Sequence, residues 1–121
     1  IYGNDNLDEF SISAPTTVCE VKDGKIIKYE ISPTDFGLRM GNKASIVGGN
    51  AMQNAQITLG ILNGTIKDSR RDIVLLNSGA ALYVCGAANT IEQGIQMAKE
   101  SIESGKALGK LQELIAFTNR S

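Results

Sequence analysis

The 121-residue chain is 42% hydrophobic and 21% charged, a balance typical of one folded domain with one core and not of a disordered tail. Its formal net charge of -1 offers no overall basic surface to nucleic acid or to an anionic membrane. No run approaches the roughly 20 apolar residues that cross a bilayer, and the first residues lack the features of a signal peptide. We therefore expect a cytoplasmic protein without nucleic-acid or membrane partners.

The sequence contains two cysteines, Cys19 and Cys85, and no histidine. The two thiols are far apart along the chain and do not have the spacing of a metal cluster. Without histidine, a Ser–His or Cys–His catalytic arrangement is excluded within this chain. We expect both cysteines to be small buried hydrophobic residues.

Strands and turns are predicted for the first third of the chain. Residues 1–3 are typical of the end of a buried strand, and polar turn residues follow them. Residues 16–21 and 26–31 favour extended structure, and the Asp23-Gly24 pair between them predicts a hairpin. Ser32-Pro33 ends the second strand, because proline cannot donate to a β-ladder. The chain opens on an apolar pair and not on methionine, so we expect further sequence upstream.

Two helices are predicted in the middle of the chain. The first follows Asn50 as its cap and ends before Gly64, and its spacing of apolar residues predicts one buried face. That face comprises Met52, Ala55, Leu59 and Leu62. Residues 72–85 are ambiguous between a strand and a helix, but their length and their alanines favour a buried helix.

Two further helices are predicted near the C-terminal end. Thr90 and Gln93 form a capping box at the start of the third helix, and Gly105 ends it. Apolar residues at helical spacing predict the buried faces of both helices. They are Ile91, Ile95, Ala98 and Ile102 in the third helix, and Leu108, Leu111 and Ile115 in the last.

The residues alone offer one candidate site for chemistry, a pair of acidic side chains. Asp8 and Glu9 are adjacent acids just after the predicted first strand and its polar loop, and α/β folds place ligands in loops at strand ends. A Mg²⁺ ion on a phosphorylated substrate uses one or two carboxylates and keeps several waters. Adjacent acids are also common on protein surfaces, so the residues alone leave a metal site and a solvated turn both open.

Three weaker candidates have structural alternatives. Residues 48–50, Gly-Gly-Asn, could present N–H groups to a phosphate, but they lack the lysine and the further glycine of known phosphate loops and fit a helix entry better. Arg70-Arg71 could bind an anion, although a solvated helix start explains the pair. Asn77 lies in an apolar stretch, where a structural hydrogen bond is expected more than substrate contact.

Several blocks in a fixed order make the chain similar to the C-terminal part of the anthranilate phosphoribosyltransferase family. The similarity extends over about residues 1–114, and no single block is specific alone. The blocks are residues 3–11 (GNDNLDEFS), 29–38 (YEISPTDFGL), 48–55 (GGNAMQNA), 62–64 (Leu-Asn-Gly), 71–82 (RDIVLLNSGAAL) and 101–108 (SIESGKAL). Departures from the family pattern are Tyr2 in place of histidine, Asn6 in place of glycine, and Ser78-Gly79 in place of two alanines.

The resemblance implies a transferase that joins the amine of anthranilate to C1 of phosphoribosyl pyrophosphate and releases pyrophosphate, a step of tryptophan biosynthesis. Asp8 and Glu9 match the acidic pair with which the family holds Mg²⁺ on the pyrophosphate. The implied fold is α/β: the C-terminal portion of a phosphoribosyltransferase α/β domain, with a β-hairpin and a parallel strand followed by about four helices.

Other parts of the family pattern are not in this sequence. The Gly-Thr-Gly-Gly-Asp phosphate loop, the anthranilate-binding residues and the N-terminal helices of the family's dimer all lie upstream. The resemblance therefore implies that residues 1–121 are a single partial domain, inactive alone, of an enzyme that is a homodimer at full length. Unpaired edges and apolar faces also predict that the isolated chain self-associates or needs companion residues.

Two alternative functions remain open. One is a non-catalytic, nucleic-acid-binding relative with the same fold, which the net charge of -1 and the retained Asp8-Glu9 pair disfavour. The other is a pyrimidine nucleoside phosphorylase, which shares the fold and uses phosphate without magnesium. The acidic block and the helix of residues 71–82 fit it less well.

Overall fold

The computed structural model describes residues 1–119 of the chain. Within them, three strands precede four α-helices, with two short 3₁₀ helices between the sheet and the first α-helix. The elements are β1 (Tyr2–Gly3), β2 (Thr16–Lys22), β3 (Lys25–Ile31), the 3₁₀ helices Pro33–Phe36 and Lys43–Ile46, α1 (Ala51–Leu62), α2 (Ser69–Val84), α3 (Ile91–Glu103) and α4 (Lys106–Thr118). The α/β class, the hairpin and the four helices are therefore confirmed.

The three strands form one antiparallel sheet in the order β1-β2-β3. Tyr2 lies opposite Thr17 and Gly3 opposite Thr16, so β1 runs against β2. The prediction of a parallel strand is thus corrected for this sheet. The physical reason is the short connection between β1 and β2, which has no helix in it, whereas parallel neighbours need a longer crossover.

The hairpin turn has the backbone that its sequence predicts. Asp23 and Gly24 have φ values of 51° and 72°, and Lys22 pairs with Lys25 on either side of them. Two consecutive positive φ angles are the mark of the tight hairpin turn that matches the twist of the strands. Beyond Ile31 the chain enters the 3₁₀ helix at Pro33, as expected of a residue that cannot continue the ladder.

The helices α2 and α3 form the closest contact between helices in the structure. A Cβ atom on Gly94 would lie 2.2 Å from the carbonyl oxygen of Gly79, and one on Gly79 would lie 2.6 Å from the backbone nitrogen of Ile95. Only glycine at both positions allows this approach.

Side-chain caps start the helices as the sequence predicts. At α1, Asn50 accepts from the backbone of Gln53 at 3.0 Å and Gln53 accepts from the backbone of Asn50 at 2.9 Å, a complete capping box. At α3, Thr90 caps Gln93 at 3.1 Å, but the Gln93 side chain accepts from Asn89 instead of Thr90. The predicted capping box at α3 therefore has one of its two usual hydrogen bonds, the one that Thr90 accepts from the backbone of Gln93.

The core lies between the sheet and the α2–α3 pair, and α1 contributes less than predicted. The predicted face of α3 is buried at Ile95, Ala98 and Ile102. In α1, by contrast, Met52 is 73% exposed and Leu59 43% exposed, while Ile61 is 6% exposed. The core cluster is Phe10, Val18, Ile61, Leu75, Leu76, Ala80, Ile95, Ala98 and Ile102.

Exposed apolar residues occur on several elements, and both cysteines are exposed. Leu114, Ile115 and Phe117 of α4 are 49–69% exposed, so the last helix is only partly packed. The prediction that Cys19 and Cys85 are buried is wrong: each is a free, exposed thiol, because one lies on a half-covered strand and the other at the end of α2. No helix among residues 1–119 is both long and apolar enough to cross a membrane.

Candidate functional site

Asp8 and Glu9 lie in a bend between β1 and β2, and both side chains are exposed. A loop that presents two carboxylates to solvent must itself be fixed if they are to act together. The backbone around the pair is held on both sides. The structure therefore presents the two acids on an ordered loop and not on a loose surface turn.

The entry to the loop is held by a tight turn after β1. The backbone N–H of Gly3 donates to Leu7 at 2.9 Å, and the N–H of Asn6 donates to Gly3 at 2.9 Å. Asn6 has a φ of 68°, a left-handed conformation that glycine adopts freely and that asparagine tolerates better than most other residues. The family's glycine and this chain's asparagine therefore meet the same backbone requirement.

The exit from the loop is clamped by helix α2. The Asn77 side chain accepts from the backbone N–H of Phe10 at 3.0 Å and donates to its carbonyl at 3.1 Å. It also donates to the carbonyl of Ile73 at 3.0 Å. The expectation of a structural hydrogen bond for Asn77 is confirmed, and the residue it holds is the one that directly follows Glu9.

A third set of contacts closes the base of the loop. The Asp5 carboxylate accepts from the hydroxyl of Ser11 at 2.9 Å and from the hydroxyl of Ser13, so it joins the segment before the acidic pair to the segment after it. The Ser13 hydroxyl, more than that of Ser11, holds the pKa of Asp5 below its usual value, against the effect of burial. Lys43 donates to the Asp5 carbonyl and adds a favourable charge.

The donor set of this loop fits a magnesium ion shared with a phosphorylated ligand. Asp8 and Glu9 supply hard carboxylate oxygens, and neither side chain makes a hydrogen bond within residues 1–119. No group of three or more acidic or cysteine side chains that could hold a metal ion occurs in the described part of the chain. Mg²⁺ commonly uses one or two protein carboxylates and takes its other ligands from substrate phosphates and water, so two are sufficient.

Two of the weaker candidates, residues 48–50 and Arg70, lie close together, but polar groups in both already have hydrogen-bond or ion-pair partners. Gly48, Gly49 and Arg70 line one shallow depression of about 480 Å³. The backbone N–H of Gly49 donates to Asn54 at 2.7 Å, and Arg70 pairs with its own helix cap, Asp68, at 2.6 Å. The helix-entry interpretation of residues 48–50 therefore fits the structure better than a phosphate loop.

Arg71 was expected to be exposed to solvent at the start of a helix, but it is largely covered. Its side chain is 13% exposed and pairs with Glu103 at 2.9 Å. The pair links the start of α2 to the end of α3. A solvated start is thus wrong for Arg71, because the close approach of the two helices covers it.

A groove of about 840 Å³ separates the hairpin from α2. At its polar wall, Tyr83 donates to Glu20 at 2.6 Å and Tyr29 donates to the other Glu20 oxygen at 3.1 Å. The Lys22 ammonium lies 5.6 Å from the centre of the Tyr83 ring, within range of a cation–π contact. Both Glu20 oxygens accept from tyrosines, so this cluster joins the hairpin to α2.

A family model described as "Glycosyl transferase family, a/b domain" matches residues 1–108. The match covers the acidic loop, the hairpin and the first three α-helices. The chain belongs to this family. Membership agrees with the α/β fold.

Two relatives of this chain share one name. The anthranilate phosphoribosyltransferase of Methanobrevibacter smithii is 51% identical over 119 residues, which are 98% of this chain and 35% of that protein. The corresponding protein of Acetivibrio thermocellus is 47% identical over 98% of this chain and 34% of its own length. The chain thus spans about a third of the length of these relatives. Neither alternative function is supported by these comparisons.

A solved structure with the same name shares the fold. Anthranilate phosphoribosyltransferase from Saccharomyces cerevisiae, in a complex with PRPP and Mg, aligns with a TM-score of 0.81 at 27% identity, over 92% of this chain and 32% of that one. The same enzyme in a complex with 4-fluoroanthranilate aligns with a TM-score of 0.84 at 28% identity, over 95% of this chain and 34% of that one. The fold of residues 1–119 is therefore that of part of these enzymes.

Sequence reasoning proposed the acidic pair as a site but missed the contacts that fix its loop. Asp5, Ser11 and Ser13 lie in and just after the block GNDNLDEFS, yet nothing in their spacing shows that one carboxylate accepts from both hydroxyls. The signal for Asn77 was better, because an amide in an apolar helix needs partners. Its partner was not visible, since Phe10 is 67 positions away.

Proposed function

We propose that this chain is the C-terminal part of an anthranilate phosphoribosyltransferase, which transfers phosphoribosyl from phosphoribosyl pyrophosphate to anthranilate in tryptophan biosynthesis. The observation that carries the proposal is the 51% identity to the Methanobrevibacter smithii enzyme over 98% of this chain. The exposed Asp8-Glu9 pair on its hydrogen-bonded loop supports a cation site at these two residues within this proposal.

In this proposal Asp8 and Glu9 hold Mg²⁺ against the pyrophosphate group of the substrate. When bound, the ion neutralises charge that develops on the leaving pyrophosphate and orients it. The chain's own residues provide the fixed loop: Asn77 holds the backbone beside Glu9. The solved Saccharomyces cerevisiae relative that contains PRPP and Mg supports magnesium as the cofactor.

The chain matches about a third of the length of these relatives, and the resemblance implies that the phosphate loop and the anthranilate-binding residues lie outside this third. We therefore propose that residues 1–121 are one partial domain, without transferase activity alone. The complete enzyme would be a cytoplasmic homodimer. Product formed by the purified 121-residue chain, free of full-length enzyme, would contradict the prediction of inactivity.

The experiment that tests the function is a hybrid enzyme. The matched segment of the Methanobrevibacter smithii protein is replaced by this chain, and the loss of anthranilate fluorescence is followed with phosphoribosyl pyrophosphate and Mg²⁺. We expect an active hybrid in which Asp8→Asn and Glu9→Gln each lower kcat/KM by about 100-fold or more, a loss of about 3 kcal/mol or more in transition-state stabilisation.

The matched control is Asp23→Asn at the hairpin tip. Asp23 is also an exposed aspartate, and asparagine tolerates its positive φ. We expect this variant to keep the activity of the parent hybrid. A folded hybrid without activity, or acid-pair variants no weaker than Asp23→Asn, would overturn the proposal.

A further inference from the structure

We propose that Asp5 is a positioning residue for the cation site, an inference that rests on the proposed function of Asp8 and Glu9. Asp5 lies in the turn before the acidic pair and not in the pair itself. It has no part in holding the ion in the proposal above. What it does is fix the shape of the loop that presents the two ligands.

The contacts of Asp5 close a ring around the acidic pair. One carboxylate oxygen, Oδ2, accepts from the hydroxyls of Ser11 and Ser13. The Ser11 hydroxyl in turn accepts from the backbone N–H of Ser13 at 3.0 Å. The Asp5 carboxylate thereby links the segment before Asp8 and Glu9 to the segment after them, in addition to the backbone bond that Asn4 donates to Pro15 at 2.9 Å. Removing the carboxylate takes away the side-chain part of this link and leaves the backbone part.

The other oxygen of Asp5 shows that this carboxylate is built into the fold. Oδ1 is buried and has no hydrogen-bond partner among the described residues. A Cβ atom on Gly3 would lie 2.9 Å from it, so glycine at this position makes room for the carboxylate. Burying an unpaired carboxylate oxygen costs free energy. The fold around Asp5 therefore holds this side chain in place, whereas a free surface carboxylate would turn toward water.

Helix α2 holds the same loop from a second direction, since Asn77 clamps Phe10. Asp5 and Asn77 therefore have complementary roles, because Asp5 joins the two ends of the loop and Asn77 fixes its exit to the core. Groups that hydrogen-bond a metal ligand directly change metal affinity by roughly 10- to 100-fold when they are removed. Asp5 acts on the ligands through the loop backbone, so we expect an effect at the lower end of that range.

The test uses the active hybrid enzyme and measures binding as well as activity. The affinity for phosphoribosyl pyrophosphate is measured by calorimetry with and without Mg²⁺, and the ratio is the gain that the ion provides. We expect Asp5→Ala to reduce this gain about tenfold, to affect affinity without Mg²⁺ little, and to speed amide hydrogen exchange in residues 6–13. Asp5→Asn, which keeps one acceptor oxygen, should restore most of the gain.

Two further variants guard against a general loss of stability. Asp35→Ala removes another aspartate that accepts a backbone hydrogen bond, from Ser32 at 2.7 Å, and should leave the Mg²⁺ gain unchanged. Ser13→Ala removes one hydroxyl of the ring and should reduce the gain in the same sense as Asp5→Ala but less. It also tests the inference if Asp5→Ala does not fold.

The outcomes separate this inference from the proposed function. An unchanged Mg²⁺ gain in Asp5→Ala, together with a lost gain in Asp8→Asn, would overturn the positioning role and leave the cation site standing. Equal losses of affinity with and without Mg²⁺ would reduce Asp5 to a structural residue and also overturn it. If Asp8→Asn and Glu9→Gln both keep the gain, the cation site itself is wrong and the inference falls with it.

Discussion

Two faces of helix α2 are packed by different physical means. Toward α3, Gly79 and Gly94 bring the backbones together without side chains between them. Toward the loop and the hairpin, Asn77 and Tyr83 reach out with polar groups to Phe10 and Glu20. The first contact depends on shape and is insensitive to pH. The second depends on hydrogen bonds, one of them to a carboxylate, and so responds to protonation.

Of the two contacts of α2, the glycine contact is expected to lose more stability when one of its residues is substituted. In Gly94→Ala the new Cβ would meet the Gly79 carbonyl at 2.2 Å, which only a shift of a helix backbone can relieve. We expect the free energy of unfolding to fall by about 3 kcal/mol, at the upper end of the usual range for overpacking. Urea denaturation of the chain measures it.

The control for this change is Gly109→Ala in α4. A Cβ atom there meets nothing within 4 Å, so the only effect is the higher helix propensity of alanine. We expect a gain of up to about 1 kcal/mol. Equal effects of the two substitutions would show that the α2–α3 approach is looser than the structure describes.

The polar face of α2 is tested next by Asn77→Ala. The substitution leaves the N–H and carbonyl of buried Phe10 without their partners, and we expect a loss of about 2 kcal/mol of unfolding free energy. Asn54→Ala removes the same kind of clamp from Gly49, but at an exposed site. Water can replace those bonds, so its loss should stay below about 1 kcal/mol. Similar losses in both variants would contradict the importance of burial.

The clasp between the hairpin and α2 is expected to weaken in acid. The Tyr83 hydroxyl, more than that of Tyr29, lowers the pKa of Glu20 below its usual 4.5. A carboxyl with a lowered folded-state pKa adds stability that is complete above pH 4.5 and is lost as the pH falls through the folded-state pKa. Tyr83→Phe should flatten this acid loss of unfolding free energy, whereas Tyr2→Phe, whose hydroxyl bonds Asn6, should leave it unchanged. An unaltered acid slope in Tyr83→Phe would contradict the pairing.

The smallest expected effect appears at high pH. Burial, with a further effect of Glu20, raises the pKa of Tyr29 from 10.0 to about 12. A group with a raised folded-state pKa adds stability that is complete below pH 10 and is lost as the pH rises toward 12. Tyr29→Phe should therefore reduce the alkaline decline of the melting temperature relative to the parent chain. A parallel decline in both proteins would refute this.

Local sequence signals predicted most of the fold because they act over a few residues. Asp23-Gly24 supplied both positive φ angles of the hairpin turn, and Asn50 capped α1 as expected. These features depend on neighbours along the chain. The α1 face was predicted wrongly because apolar spacing does not reveal which side of a helix meets the core, and Met52 faces solvent.

Contacts between distant residues could not be read from the sequence. Nothing local shows that Gly79 and Gly94 meet, and the segment around Gly79 fitted either a strand or a helix. Within the candidate site, Asp8 and Glu9 came from their residue types and the family resemblance, whereas the Asp5 ring depends on side-chain geometry. The candidate carboxylates could therefore be proposed from the sequence, whereas the contacts that hold their loop could not.

The two free thiols give the molecule a built-in reporter pair. Cys19 lies among the residues that line the groove between the hairpin and α2, and Cys85 lies between two further lining residues, Val84 and Gly86. Both thiols are exposed, so a polypeptide that covers the groove would slow their alkylation relative to the uncovered chain. Docking of further chain onto this surface can therefore be followed by mass spectrometry without adding a label site.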